Sequence, residues 1–190
     1  MADTVITLER PDIRAIEINI IGTAPLIVHR WSEKARKEML DKQMKKAKQA
    51  REAKDPERDF LESLYVIEGG YGFPSIAFKA AMVRAGTYAD MKMTFLRGAF
   101  HISGEFVKIN GEPTMREDMV RVGMGTADIR HRGEFKHWTA TLPIVYNARA
   151  ISAEQLMNLV MVAGFSVGVG EWRPEKDGQF GTFALVEGEQ

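Results

Sequence analysis

Between Arg14 and Ile21 the chain alternates Ile16, Ile18 and Ile20 with Glu17 and Asn19. A repeat of two puts the isoleucines on one face of a strand and the polar residues on the other, so this segment belongs in a sheet with one covered and one wet face. Gly22 ends it. A sheet of that kind needs a second layer over its apolar side, and two helical segments can supply it. Ser75 opens the first, where it is read as the N-cap. Ile76, Ala80 and Val83 then share a face, flanked by Ala77, Ala81 and Tyr88, and this core helix runs to about Gly86. The second starts with a capping box, Ser152 with Gln155. Ile151 and Leu156 are placed as a hydrophobic staple, and a buried helix to about Gly164 follows.

The remaining segments read mostly as strands and turns. Pro25 to Val28 is a short apolar piece, and Glu68 to Gly72 a loop. Thr94 to Ile109 carries Phe95, Phe100, Ile102, Phe106, Val107 and Ile109, is broken by Gly98 and Gly104, and reads as one or two strands. Asn110-Gly111 is a hairpin signal, which predicts that Glu112 to Val122 returns beside the preceding strand. Phe135 to Tyr146 alternates as another strand. Gly168, Gly170, a loop from Glu171 to Gly181 and a last strand, Phe183 to Val186, complete the chain. Two core helices among about five strands predict an α+β fold of ferredoxin-like (RRM-like) kind, with both helices on one face of an antiparallel sheet. At 190 residues and 45% hydrophobic content, residues 1–190 are expected to form one domain.

One segment stands apart from that core. From Ser32 to Arg58 there are ten Lys or Arg against six Asp or Glu, and the apolar positions Ala35, Met39, Leu40, Met44 and Ala47 form only a thin stripe. Residues 32–58 are therefore expected to form an exposed helical arm, ending near Asp55-Pro56. Over the whole chain 26 basic residues balance 26 acidic ones, which favours self-association; the tail after Phe183 is acidic, with Glu187 and Glu189. The absence of cysteine removes disulfides, thiolate metal sites and cysteine nucleophiles, and points to a reducing, cytoplasmic setting. No membrane span or signal peptide is expected. No P-loop, no Gly-x-Ser-x-Gly elbow and no dinucleotide fingerprint occurs; Pro174 follows Gly168-x-Gly170 too closely for a Rossmann turn.

Three pieces, in this order along the chain, carry a resemblance. They are Gly22-Thr23-Ala24-Pro25-Leu26-Ile27 after the first strand, Phe73-Pro74-Ser75-Ile76-Ala77-Phe78-Lys79-Ala80-Ala81 at the first core helix, and Gly168-Val169-Gly170-Glu171-Trp172-Arg173 running on to Phe180-Gly181-Thr182-Phe183. Together they resemble the RAMP superfamily of CRISPR-associated proteins with an RRM-like core, and within it the backbone subunits that coat guide RNA. The resemblance implies Ser75 and Lys79 as phosphate contacts, and a glycine loop at Gly168 and Gly170 beside the RNA path with Trp172 and Arg173. It implies no cofactor. Its partners would be RNA or single-stranded DNA, further copies of the chain in a helical or filamentous oligomer, and other effector-complex subunits. The chain departs from the family in its shortness and in the acidic character of its loop, which holds Glu171, Glu175 and Asp177. A phage or mobile-element relative would look similar.

Other residues suit the same ligand on chemical grounds. Arg130-His131-Arg132-Gly133-Glu134-Phe135-Lys136-His137-Trp138 packs cations for phosphates and rings for bases into nine residues. Arg84, Arg130, Arg132, Lys136 and Arg173 are candidate phosphate contacts, and Trp138 or Trp172 a candidate stacking ring; the alternative for Phe135 and Trp138 is the core. Asp128, His131 and His137 match no familiar zinc spacing, so no metal is expected. His29 follows the first strand, where some RAMP endoribonucleases place a histidine. That makes a metal-independent endoribonuclease the second reading, and a phage or mobile-element assembly protein that binds no nucleic acid the third.

Overall fold

The computed structural model describes residues 10–46, 53–122 and 125–186. Strand β1 (Ile13–Gly22) lies antiparallel to β9 (Thr139–Asn147), with Ile16 opposite Ile144, Ile18 opposite Leu142 and Ile20 opposite Ala140. Both strands keep the period-2 rule. Ile18, Ile20, Ala140, Leu142, Ile144 and Tyr146 are buried on one face, while Glu17, Asn19 and Thr141 are exposed on the other. Around this pair the main sheet runs β10-β1-β9-β6-β4-β3, from β10 (Phe183–Leu185) to β6 (Phe106–Asn110), β4 (Gly70–Pro74) and β3 (Val66–Ile67). A further strand, β5 (Phe100–Ile102), shares the edge of β9 with β6, and every neighbouring pair in the sheet is antiparallel.

Two helices cover the buried face: α3 (Ser75–Ala85) and α5 (Ala153–Val162). The capping box of α5 forms as expected, with Ser152 Oγ accepting from the Gln155 amide at 3.2 Å and Gln155 Oε1 accepting from the Ser152 amide at 3.0 Å. Ile151 and Leu156 are both buried beside it. Helix α3 spans the expected residues and buries Val83 of the expected face, but its buried face is centred elsewhere. Phe78, Ala81, Met82 and Ala85 point into the core, and Ile76 is 67% exposed. Its start is also a correction: the N-cap position is Pro74, which offers no side-chain acceptor, and Ser75 is the first helical residue.

A second, smaller sheet, β2-β8-β7, is built on β2 (Leu26–Val28) and the long hairpin of β7 (Pro113–Val122) and β8 (Thr126–Phe135). The Asn110-Gly111 turn therefore does not join a hairpin. Strand β4 occupies one edge of β6 and β9 takes Ile109 and Asn110 on the other, so next to the turn β6 offers no edge to a returning strand and the chain crosses to the second sheet. Thr94 to Ala99, expected as strand, belongs to a short helix, α4 (Met93–Ala99), whose Leu96 and Ala99 turn inward one helical turn apart. Residues 66–74, expected to contain only a loop, form β3 and β4.

The polar arm also differs from its expected outline. Helix α1 (Glu33–Gln43) is exposed from Arg36 to Leu40, but a separate helix, α2 (Pro56–Ser63), begins where the arm was expected to end. Asp55 caps α2 by accepting from the Arg58 amide, and Pro56 fills its first turn. This helix packs on β8, where Ser63 Oγ accepts from the Gly133 amide at 2.8 Å. Residues 47–52 of the arm and the acidic tail at Glu187 and Glu189 lie outside the described residues.

Candidate nucleic-acid interface

The glycine segment is tied to the first crossover backbone to backbone. The Glu171 amide donates to the Ile27 carbonyl at 3.0 Å, and the Gly181 amide donates to the Pro25 carbonyl at 2.8 Å. Gly168 and Gly170 both have left-handed backbone, at φ 68° and 79°. A Cβ on Gly170 would lie 2.5 Å from the Ile27 carbonyl oxygen, so glycine is required there by conformation and by space. This closeness forms a cleft of about 220 Å³ between α3 and the loop, lined in part by His29, Tyr65, Arg84, Gly168, Gly170 and Arg173. Burial holds the Tyr65 phenol above its ordinary range.

Five residues singled out in the sequence, His29, Arg84, Gly168, Gly170 and Arg173, thus meet at one place. Arg173 donates from Nη1 to the Gly170 carbonyl at 3.0 Å, and both Arg84 and Arg173 donate to Glu175. His29 Nδ1 lies 3.6 Å from Glu171 Oε1. The Glu171 carboxyl is held below its ordinary value, first by His29 and against the opposing effect of burial, with Arg132 and Arg130 adding to the lowering. A depressed carboxylate stabilises the fold fully above the ordinary value of 4.5, and that contribution is lost as pH falls through the folded-state value.

Trp172 leaves the neighbouring turn 44% exposed, with its backbone left-handed at φ 56°. Bulky residues avoid that region, and holding one there costs of order 1–3 kcal/mol. Strain of this kind in an exposed aromatic marks the position as a candidate contact.

His29 also borders a second cleft, of about 260 Å³, between the α1–α2 segment and β8, with Arg30, Lys54, Arg58, Arg130 and His131 among its lining residues. Its charges are mixed: Lys54 pairs with Asp128, and Arg130 Nε lies 3.8 Å from the same carboxylate. Trp31, next to Arg30, is 57% exposed. It stands at the start of the arm, outside the motifs that carry the resemblance.

The other sequence candidates fall elsewhere. Ser75 is buried, and its hydroxyl donates to the Gly104 and Glu105 carbonyls at 2.6 and 3.1 Å, so it anchors α3 to the β5–β6 turn rather than offering itself to a phosphate. Lys79 Nζ sits 3.0 Å from His101 Nδ1, outside the cleft. The segment expected as a loop from Arg130 is strand β8 as far as Phe135, with Lys136 exposed in the turn beyond it. Arg132 is only 3% exposed, and its Nε and Nη1 have no hydrogen-bond partner among the described residues. It faces an ion network in which Arg116 bridges Asp118 at 2.9 Å and Glu134 at 2.7 Å while lying over the Phe180 ring. That burial lowers the Arg132 pKa and removes it from the list of phosphate contacts. Trp138 is likewise no stacking surface. It is 2% exposed, its Nε1 donates to the Ala24 carbonyl at 2.9 Å, and its indole fills the space a side chain at Gly22 would need.

Among the described residues no three His, Asp or Glu side chains gather into a metal site, and no helix is long and apolar enough to cross a membrane. No protein-family model matches this sequence, and no curated protein matches it. In three dimensions the chain is similar to Cmr6 from Pyrococcus furiosus, with a TM-score of 0.51 and 11% identity, covering 92% of this chain and 98% of that one. At that identity the likeness is one of fold.

Proposed function

We propose that this protein is a RAMP-like subunit that binds single-stranded nucleic acid, with RNA the first candidate, and that it assembles along the strand within a CRISPR-type effector complex. The observation that carries this reading is the convergence of Arg84, Arg173 and the Gly168–Gly170 backbone in one cleft, with Trp172 held exposed next to it. Glycine lets a ligand backbone approach closely, arginines engage phosphates, and an exposed ring stacks on any base regardless of sequence.

Two further points support it. The fold likeness to Cmr6 from Pyrococcus furiosus agrees with the motif resemblance. The inner strands run β10-β1-β9-β6, with α3 between β1 and β6 along the chain and α5 between β9 and β10, an order that agrees with the ferredoxin-like core expected from the sequence.

Binding through a few phosphates has a measurable signature. For about three phosphates the affinity for a single-stranded oligonucleotide falls roughly a hundredfold when salt rises tenfold. Fluorescence anisotropy with RNA and DNA oligomers, read from about 50 to about 500 mM salt, checks this and ranks the two polymers. An affinity that stays flat across the range sinks the proposal. The mass of the purified protein before and after nuclease tests assembly along the strand.

A second reading rests on the His29–Glu171 pair, since an imidazole held by a carboxylate at the mouth of a cleft is the arrangement of a general base. In that case the protein is a metal-independent endoribonuclease, and His29→Asn abolishes cleavage of an RNA substrate in the presence of chelator. Cleavage that persists in the variant removes this reading.

A further inference from the structure

The two arginines of the cleft share a partner from the chain itself. Arg84 Nη1 lies 2.5 Å from Glu175 Oε2, and Arg173 reaches the same oxygen with Nε at 3.0 Å and Nη2 at 2.9 Å. Three donors from two guanidinium groups thus converge on one carboxylate oxygen, and the trio carries a net positive charge. Two like charges held this close need an anion between them, and here the chain provides one from its own loop.

That anion still reaches the surface, its side chain 24% exposed, and it is carried by a short segment of chain. Glu175 sits in a single 3₁₀ turn (Pro174–Lys176) that ends at Asp177 in a left-handed conformation, φ 59°. The Arg84 side chain is 46% exposed, and ion pairs at such exposure contribute little to stability. A phosphodiester carries its charge on two non-bridging oxygens and can give each guanidinium its own, which one carboxylate oxygen cannot do.

We propose that Glu175 is a resident competitor: its carboxylate occupies a two-arginine phosphate site formed by Arg84 and Arg173, and a nucleic-acid phosphate enters by displacing it. This regulation rests on the nucleic-acid reading above. The site's ligand chemistry is a phosphate oxyanion, which either a strand or free phosphate can supply, and the strand is the ligand for which the adjacent Trp172 and glycine backbone are suited. In the closed form the site is counted out of the binding population, so the apparent affinity is divided by the open fraction.

The test measures binding of a fluorescent oligouridylate to the full chain as wild type, Glu175→Gln, Arg84→Ala and the double variant Arg84→Ala with Glu175→Gln, across a salt series. If the closed form prevails by about ten to one, Glu175→Gln binds on the order of tenfold more tightly. The salt slope also steepens by about 0.7 for each phosphate newly engaged. The double variant loses that gain, because the freed site is then missing one of its two cations. Thermal unfolding of each variant, with Glu175→Ala as a second substitution, separates a change in binding from a loosened loop.

A parallel titration with inorganic phosphate, read on the Arg84 and Arg173 Nε–H resonances, distinguishes the two sources. Phosphate binding by Glu175→Gln without oligouridylate binding by any variant keeps the anion site and overturns the nucleic-acid function. Oligouridylate binding that is unchanged in affinity and slope by Glu175→Gln overturns the competitor and leaves the function standing. A gain that survives in the double variant overturns the role of Arg84 and with it the two-arginine site.

Discussion

Replacing Trp138 by alanine destabilises the protein by about 3–5 kcal/mol, the range for removing a fully buried large aromatic. The indole packs edge-on to Phe183 at 6.2 Å between ring centroids and lies directly against Gly22. It therefore joins the end of β1, the start of β9 and the last strand. Its loss opens a cavity and also leaves the Ala24 carbonyl without the indole N–H that donates to it. Urea unfolding, compared at constant m-value, reads the change. A loss below about 1 kcal/mol would mean that the site collapses around the gap, contrary to the close packing seen here.

Replacing Trp172 by glycine has the opposite signature. Glycine takes a φ of 56° without strain, so the variant keeps or gains stability, by up to about 1 kcal/mol. Nucleic-acid affinity falls by about 1–3 kcal/mol, the usual worth of one stacked base. The pair of measurements, denaturation midpoint and oligonucleotide affinity, moves in opposite directions only if the strained conformation serves to present the ring. A variant that binds as well as wild type removes Trp172 from the interface, and one that unfolds more easily shows that the ring is structural. Trp138 and Trp172 thus form an internal control, since the same residue type is predicted to act on folding at one position and on binding at the other.

Much of the core was legible because its signals are local. The alternation in β1 and the capping box at Ser152 each depend on residues a few positions apart, and both stand in the structure. The start of α2 was legible too, in the pair Asp55-Pro56, but was read as the end of a polar arm because the segment before it carries so many charges. The face of α3 was misjudged because small residues on both sides of the helix leave its periodicity weak; Phe78 decides it. The Asn110-Gly111 turn forms, yet its usual product does not, because strand pairing is settled by which edges other strands already occupy.

The candidate site divides along the same line. The residue types were visible: glycines, arginines, tryptophans and a histidine, each chemically suited to a nucleic acid. Their accessibility was not. Arg132 and Trp138 lie within a run of cations and rings that reads as a binding loop, but β8 pairs on both sides, with β2 and with β7, and turns Arg132 inward, while the following turn places Trp138 under Gly22. Glu175 looked like an acidic departure from a family pattern, and only the position of α3 against the loop brings Arg84, 91 residues away, onto its carboxylate. The sequence by itself determined the period of β1 and the capping box of α5, because those depend on the geometry of a few neighbouring peptide units. The tertiary structure decided strand order, which tryptophan faces water and which cations share an anion, because those depend on contacts between segments whose separation along the chain carries no local signal.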